Sequence, residues 1–448
     1  MMRKIAMCIP IYRTYELAQE FLENYSKNYL ETGIDIYYYD STPDDSVKSV
    51  IDKWVDNDRI FYLKMDSKLH SSEKVFKIYQ GYGLQYEYQY IWLCNDGIRC
   101  SKMALETISL QLAENYDFIV LDPLSTSRTD QNIEKNQKVF YSQSEFFDKC
   151  LVATRLYGGT ILNARTMLAG VDWERYESAY LKQGETMIWH AYMSFYFHRI
   201  LELETFSAVY LPFRSDGMRI SELKADSQWT NGFFFVLCEG LVQTIRELPD
   251  CYLNKQTICV RNTEELYFDR LSTLIRAYRR DNRYSLKVFL HYFQVWDWVT
   301  SIPRWQLFLA ALVPKWTVSA IGAYHKRMGQ RKLEKLCRTH SRIILYGAGG
   351  CGYVYSDYFK KMGMDYEAFC VTRRKPGKFQ YCGHPVYELE ELKSNLNNVG
   401  FIVAVGGNST GVVFQNLLAL VDRKDIFFEP KFQAEIRYEW AREKRKSR

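Results

Sequence analysis

KIAMCIPIY at residues 4–12 opens a pattern that IDIYYYD (34–40), RIFYLKM (59–65), QYIWLC (89–94) and DFIVLD (117–122) continue. Short apolar runs of this kind, alternating with longer stretches of helical period, mark parallel strands joined by crossover helices. YELAQEFLENYSKNYL (15–30) is one such stretch: Leu17, Phe21, Tyr25 and Tyr29 recur every fourth residue and build a single apolar face. A doubly wound α/β domain is therefore expected. Ligands bind in such sheets outside the carboxyl ends of the strands. The polar residues that follow the runs there are Arg13, Asp40 and the turn Asn95-Asp96-Gly97.

A chain of 448 residues is about three times the length of an ordinary domain, which implies two or three cores. With 47% hydrophobic and 25% charged residues, the composition is that of a soluble globular protein and excludes disordered, collagen-like and fibrous coiled-coil classes. Eleven cysteines are scattered without a CxxC pair or a histidine at zinc-finger spacing, the usage of a reducing, cytoplasmic compartment. MMRKIAMCIPIY lacks the sustained apolar region and cleavage site of a signal peptide, and no uninterrupted apolar run has the length of a membrane span.

Charge is unevenly spread. Residues 270–342 hold fifteen Lys or Arg against three acids, and 431–448 hold seven against three, although the net charge of the whole chain is only +6. A basic segment on an otherwise acidic protein points to a local anionic partner, a membrane surface or phosphates; no nucleic acid is expected. The expected division is an α/β domain at 1–240, a helical, basic, Trp-rich connector at 241–340 broken by Pro303 and Pro314, a second α/β unit at 341–430, and a basic tail at 431–448. YGGTILNARTM (157–167) and RSDGMR (214–219) are expected to complete the first domain and half of its cleft.

CIPIY (8–12), YYYDSTPDDS (37–46) and YIWLCNDG (90–97) stand in order at three expected strand ends. On these motifs the N-terminal part, about residues 4–235, resembles a glycosyltransferase of the GT-A fold, family 2 type. The resemblance implies transfer of a sugar, with inversion, from a nucleotide-diphosphate donor (a UDP-sugar favoured) to a hydroxyl of a surface polysaccharide or lipid-linked acceptor. It implies donor-binding roles for Pro10, Tyr12, Asn95 and Asp96, and hydrogen bonds from nucleobase or ribose to Asp40; a turn Asp bonding its own backbone is the alternative, expected more at Asp44 and Asp45 than at Asp40. It also makes Asp96 a metal ligand. The chemistry agrees, because a departing nucleotide diphosphate develops negative charge that a carboxylate-held Mn²⁺ or Mg²⁺ neutralises. Where the family's turn offers two acids, this one sets Asn95 and Gly97 around Asp96, and capping of the helix near Ser101 is the alternative role for that acid.

Lys74, in HSSEKVFKIYQGYG, sits early in a helix and either reaches a phosphate or is a solvated helix lysine. Inverting transfer needs a base for the acceptor hydroxyl, which the resemblance implies roughly ninety residues beyond the acidic turn. Glu185, in LKQGETMIWHAYM, falls there, with Asp172 as the competitor. Arg214 and Ser215 resemble the mobile loop that closes over the diphosphate, Arg214 offering two donors in a fork. His190 and His198 are read as core or surface residues rather than ligands.

Gly347-Ala348-Gly349-Gly350-Cys351-Gly352 follows the apolar run RIILY and precedes the helical GYVYSDYFKKM, so G-x-G-x-x-G at Gly347, Gly349 and Gly352 marks a second nucleotide site. The acid that would hold a ribose is replaced by Thr372-Arg373-Arg374-Lys375, which disfavours NAD; Arg373 and Arg374 either take a phosphate or form a solvated turn. With CGHPVYELEEL and FIVAVGG, this segment resembles the Rossmann-like domains attached to bacterial polysaccharide enzymes, such as the N-terminal part of sugar O-acyltransferases. The resemblance implies a regulatory or organising module.

Residues 289–325 place Trp296, Trp298, Trp305 and Trp316 around LFLAALV between clusters of Arg and Lys. Such a segment lies in a membrane interface or packs its indoles into an interdomain core. The expected protein is a cytoplasmic glycosyltransferase, peripheral on the inner face of the plasma membrane. Two rivals remain: a non-enzymatic assembly protein, and a sugar-modifying enzyme acting through the C-terminal domain.

Overall fold

The computed structural model describes residues 3–55, 58–85, 88–122, 136–181, 190–213, 217–221, 233–266, 271–374, 379–406 and 409–446. The chain forms two compact units, Met1–Arg270 with Lys287–Leu307, and Leu271–Leu286 with Phe308–Arg448. The segment 241–340 contributes to both.

In the first unit the strands are β1 (Arg3–Ile11), β2 (Ile34–Asp40), β3 (Ile60–Lys64), β4 (Tyr88–Leu93), β5 (Ile98–Cys100), β6 (Phe118–Asp122), β7 (Lys138–Phe140), β8 (Thr160–Asn163), β9 (Ala208–Pro212) and β10 (Met218–Ile220). Eight of them make one sheet in the order β3-β2-β1-β4-β8-β6-β9-β7, and β5 pairs with β10 in a separate ribbon. The runs that open the sequence are its parallel strands, since β1 pairs in parallel with both β2 and β4, and β2 with β3. The sheet is not uniformly parallel: β8, from YGGTILNARTM, lies antiparallel between β4 and β6. Gly158 makes that reversal at φ +99°, and a Cβ there would stand 2.8 Å from Ile98.

Both faces of the sheet are covered, as parallel strands require. Ile5, Met7, Ile9 and Ile11 of β1 share a core with Ala18, Phe21 and Leu22 of helix α1 (Tyr15–Asn24) and with Trp92. The alternate residue Cys8 points the other way, where burial pushes its thiol up to about 12 beside Tyr82 of helix α2 (Ser71–Gln85). The helical pattern at 15–30 is two helices rather than one: Ser26 donates its hydroxyl to the Leu22 carbonyl at 2.6 Å, and a second helix, Ser26–Glu31, restarts after Tyr25.

The second unit carries β11 (Arg342–Tyr346), β12 (Ala368–Val371), β13 (Gln380–Tyr381), β14 (His384–Glu388), β15 (Val399–Val403) and β16 (Ile426–Phe427) in the order β13-β14-β12-β11-β15-β16, parallel except for β13. Helices α3 (Lys315–Thr339), α4 (Gly350–Met362) and α5 (Pro430–Lys446) pack on it, with Leu333, Tyr355, Phe359, Phe432 and Ile436 in one core. Among the described residues no single helix is long and apolar enough to cross a membrane. The tryptophans of the basic segment divide. Trp296 is core, its Nε1 donating to the Phe289 carbonyl at 2.9 Å, whereas Trp305 and Trp316 are exposed.

Candidate functional site

The strand order of the first sheet runs outward from β1 to β2 and β3 on one side and starts again with β4 on the other. Ligands of open α/β sheets bind at such a reversal, beyond the carboxyl ends of the two strands. Register delivers three segments to this edge: Ile11 lies beside Asp40, Asp40 beside Lys64, and Cys8 beside Leu93. The chain then leaves β1 through Arg13, whose φ of +56° is rare for a side-chain-bearing residue, and whose N–H donates to Thr42 Oγ1 at 2.8 Å.

Asp40 is fully buried. Its Oδ1 accepts from the Thr42 N–H at 2.7 Å, and its Oδ2 accepts from the Tyr62 hydroxyl at 2.8 Å with Lys64 Nζ at 3.5 Å. Expected to accept from a base or ribose, this carboxylate is instead engaged on both oxygens within the protein and shapes the segment Ser41-Thr42 that follows β2. Such a self-bonding turn is what a strand-end Asp does most readily, here as at Asp44, which accepts from the Ser46 N–H at 3.0 Å.

Lys74, on the first turns of α2, is buried although it carries a charge, and bonds to Ser41 Oγ. Its Nζ also stands 5.4 Å from the centre of the Tyr12 ring. Desolvation lowers its pKa, and Asp40 works in the opposite direction. It is therefore an inward cation at the strand edge rather than a solvated helix lysine. A cation short of solvent gains most when an anion arrives.

Asp96, nine-tenths buried, receives the Thr14 hydroxyl on Oδ2 at 2.6 Å, a charge-assisted bond. The loop Tyr12–Thr14 thus touches Lys74 at one end and Asp96 at the other. Capping is not the role of Asp96, because Ser101 caps the following helix through Ala104 N–H. Asn95 closes the turn, its Oδ1 accepting from Gly97 N–H at 2.8 Å. Behind it the fully buried Arg99 binds the Asp96 carbonyl at 2.7 Å and Glu20 at 2.8 Å, and Ser221 bonds both Glu20 and the Gly97 carbonyl. Nothing in the motif itself foretold Thr14, Ser41, Thr42 or this Arg99–Glu20 brace. Only the folded edge joins them.

Among the described residues no three His, Cys, Asp or Glu side chains converge to hold a metal. Mg²⁺ bound with a nucleotide diphosphate takes one or two carboxylates and completes its shell with phosphate oxygens and water. One carboxylate at Asp96 fits that mode, a cation arriving with the diphosphate, and does not fit a preformed cage.

Other expected residues fall elsewhere. Pro10 lies in β1 beside Tyr39 of β2. Asp172 is exposed and caps the short helix Trp173–Tyr176, accepting from Arg175 N–H at 3.0 Å. Glu185, Arg214 and Ser215 lie outside the described residues. Burial and the nearby Arg155 push His190 down to about 3, so it is neutral.

In the second unit Gly347 has φ +129°, and a Cβ on Gly352 would stand 2.0 Å from the Gly347 carbonyl oxygen, so both glycines are demanded by the turn and by helix–strand contact. Gly349 faces open space at the head of α4, where helix N–H groups favour an anion. Arg374 is committed elsewhere: its guanidinium forks onto Glu391 at 3.0 and 3.1 Å and onto the Val386 carbonyl at 2.8 Å. Arg373 is exposed.

Against known proteins, a family model described as the PglD N-terminal domain matches residues 342–411. No curated protein matches the sequence. Among solved structures, TarS residues 1–349 from S. aureus overlaps at TM-score 0.42 with 12% identity, covering 68% of this chain and 90% of that one. The same protein in complex with UDP-GlcNAc gives 0.38 and 11%, over 68% and 91%. The mannosyltransferase PcManGT from Pyrobaculum calidifontis, in complex with GDP-Man and Mn²⁺, gives 0.35 and 10%, over 70% and 87%. Overlaps at this level carry no functional argument.

Proposed function

We propose that the first unit is a glycosyltransferase that moves a sugar from a nucleotide-diphosphate donor, a UDP-sugar favoured, to a hydroxyl of a surface polysaccharide or lipid-linked acceptor, with inversion. The observation that carries this reading is the loop Tyr12–Thr14, which holds a desolvated cation, Lys74, and a buried carboxylate, Asp96, at one strand-edge crevice. An isolated cation would suit any anion and an isolated acid any cation. Together they suit a diphosphate that brings a divalent ion.

In this reading Lys74 takes a phosphate oxygen, Tyr12 and Pro10 line the donor crevice, and Asn95 holds the turn that aims Asp96. Asp96 would hold Mn²⁺ or Mg²⁺ together with the diphosphate; the ion supplies neutralisation of the departing charge. Asp40 is a positioning residue, holding Ser41 where Lys74 meets it. Glu185 is proposed as the base that accepts the acceptor's proton, with Asp172 as competitor, and Arg214 and Ser215 as the segment that closes on the diphosphate. The C-terminal glycine turn, with Gly347, Gly349, Gly352 and Arg373, is proposed as an organising nucleotide-binding module. The protein works at the cytoplasmic face of the membrane, where lipid-linked acceptors are found.

Calorimetric titration of UDP, GDP and CDP with and without Mn²⁺ tests the reading. Metal-dependent binding of one diphosphate, lost in Asp96→Ala and retained in Gly349→Asp, is the expected result. Binding that survives Asp96→Ala but not Gly349→Asp would move the nucleotide chemistry to the second unit.

A further inference from the structure

The solvent side of α3 is used by neither nucleotide site. Opposite its buried residues Val318, Leu333 and Leu336, the exposed residues recur at helical spacing: Trp316 and Tyr324 first, then Arg327, Arg331, Lys335 and Arg338. Trp316 is 74% exposed, and Leu309 and Leu312 just before it are also exposed. The bases of this helix differ in their ion pairs among the described residues. Lys326 and Lys332 pair with Glu439 and Glu429, whereas Arg327, Arg331, Lys335 and Arg338 make no ion pair among the described residues.

At the first turn of α3 lies a cavity of about 480 Å³ lined by Arg280, Asp281, Asn282, Lys315, Ser319, Tyr438 and Arg442. Its inner charges are matched: Arg280 pairs with Glu435 and stacks 4.0 Å from the Tyr438 ring centre, and Asp281 pairs with Arg283 at 2.8 Å. Lys315 and Arg442 in its lining make no ion pair among the described residues. A polar cavity with two bases in its lining that make no ion pair, within a few residues along the chain of exposed indole and leucine side chains, suits a lipid phosphate held above inserted apolar groups.

We propose that the second unit binds an anionic bilayer at the first turn of α3, with Trp316, Leu309 and Leu312 in the interfacial layer and a lipid phosphate between Lys315 and Arg442, while the bases on the exposed side of the helix add charge attraction to the surface. The proposal rests on the membrane location given above and names the residues that produce it.

The test uses the full chain and vesicles of phosphatidylcholine alone or with phosphatidylglycerol, at low salt. Expected are binding to the anionic vesicles only, loss of that binding at high salt, and quenching of tryptophan emission by brominated lipid that disappears in Trp316→Phe. The double variant K315Q/R442Q should lose about thirtyfold in vesicle affinity, near fivefold per base removed, and R327Q/R331Q a comparable amount, with unchanged circular dichroism. Equal binding to neutral vesicles, or quenching that persists in Trp316→Phe, overturns the proposal. So does loss of inorganic phosphate binding in K315Q/R442Q with vesicle affinity intact, which would make the cavity a soluble-anion site. UDP titration of the same variants, and vesicle binding by Asp96→Ala, should both match wild type, so a failure at the membrane is distinguishable from a failure of the nucleotide-sugar reading.

Discussion

Both units end parallel strands in a polar edge, yet they equip that edge in opposite ways. The first brings charged side chains inward: Lys74 is desolvated, Asp96 is held by Thr14, and Asp40 is closed off by Thr42 and Tyr62. The second offers bare backbone, with Gly349 facing open space, and commits the Arg374 guanidinium to Glu391. Buried charge costs folding free energy unless it is paired, so an edge that keeps such charges is prepared for a ligand that completes them. A glycine turn carries little such cost, and equally shows little commitment to any particular ligand.

The comparison breaks most visibly at Asp96. Asp96→Ala should lower donor turnover by about 100-fold or more, the scale of removing a group that acts on developing charge, as read from release of UDP from a UDP-sugar. Wild-type turnover in that variant would remove the first edge from the chemistry.

Lys74→Met should weaken UDP binding by about tenfold while leaving the protein as stable or more so at neutral pH. The sign follows from its lowered pKa. Protonated Lys74 carries its desolvation cost at every pH below that value, and the cost is relieved as pH rises towards the ordinary 10.5. UDP affinity in the wild type should accordingly fall as pH rises through the lowered pKa, and the fall should be missing in Lys74→Met. Calorimetry across pH, with thermal melts of both proteins, checks each half.

Gly352→Ala sharpens the other side. A Cβ 2.0 Å from a backbone oxygen cannot be accommodated without shifting the turn, at a cost of about 1–3 kcal/mol. The thermal transition of the second unit should drop while UDP binding by the first persists. Arg374→Ala should have the smallest effect, leaving nucleotide titrations unchanged because its guanidinium already serves Glu391 and Val386. Loss of a nucleotide signal there would show that the second edge is charged for a ligand after all.

Much of the framework was legible beforehand because it depends on periodicity. All five apolar runs became strands within one residue of their expected ends, and RIILY with its glycines became β11 and the head of α4. What escaped depended on partners distant in sequence. Helix period alone could not show that Ser26 bonds back and divides 15–30, nor that YGGTILN turns antiparallel into the sheet. For Lys74 the helix was legible and its inward direction was not, because that is set by packing against Tyr12 and Ser41.

The sequence by itself determined the five apolar runs that became strands of the first sheet, that two α/β units exist, and which of those strand ends carry acid, base and glycine. Local pattern and backbone geometry are sufficient for that. Only the tertiary structure decided what those residues face: Asp40 turned into its own loop, Asp96 against Thr14, Arg374 onto Glu391, Trp296 inward and Trp316 outward. Burial and hydrogen bonding are set by neighbours that the fold brings from tens of residues away, and no spacing along the chain encodes which neighbour arrives.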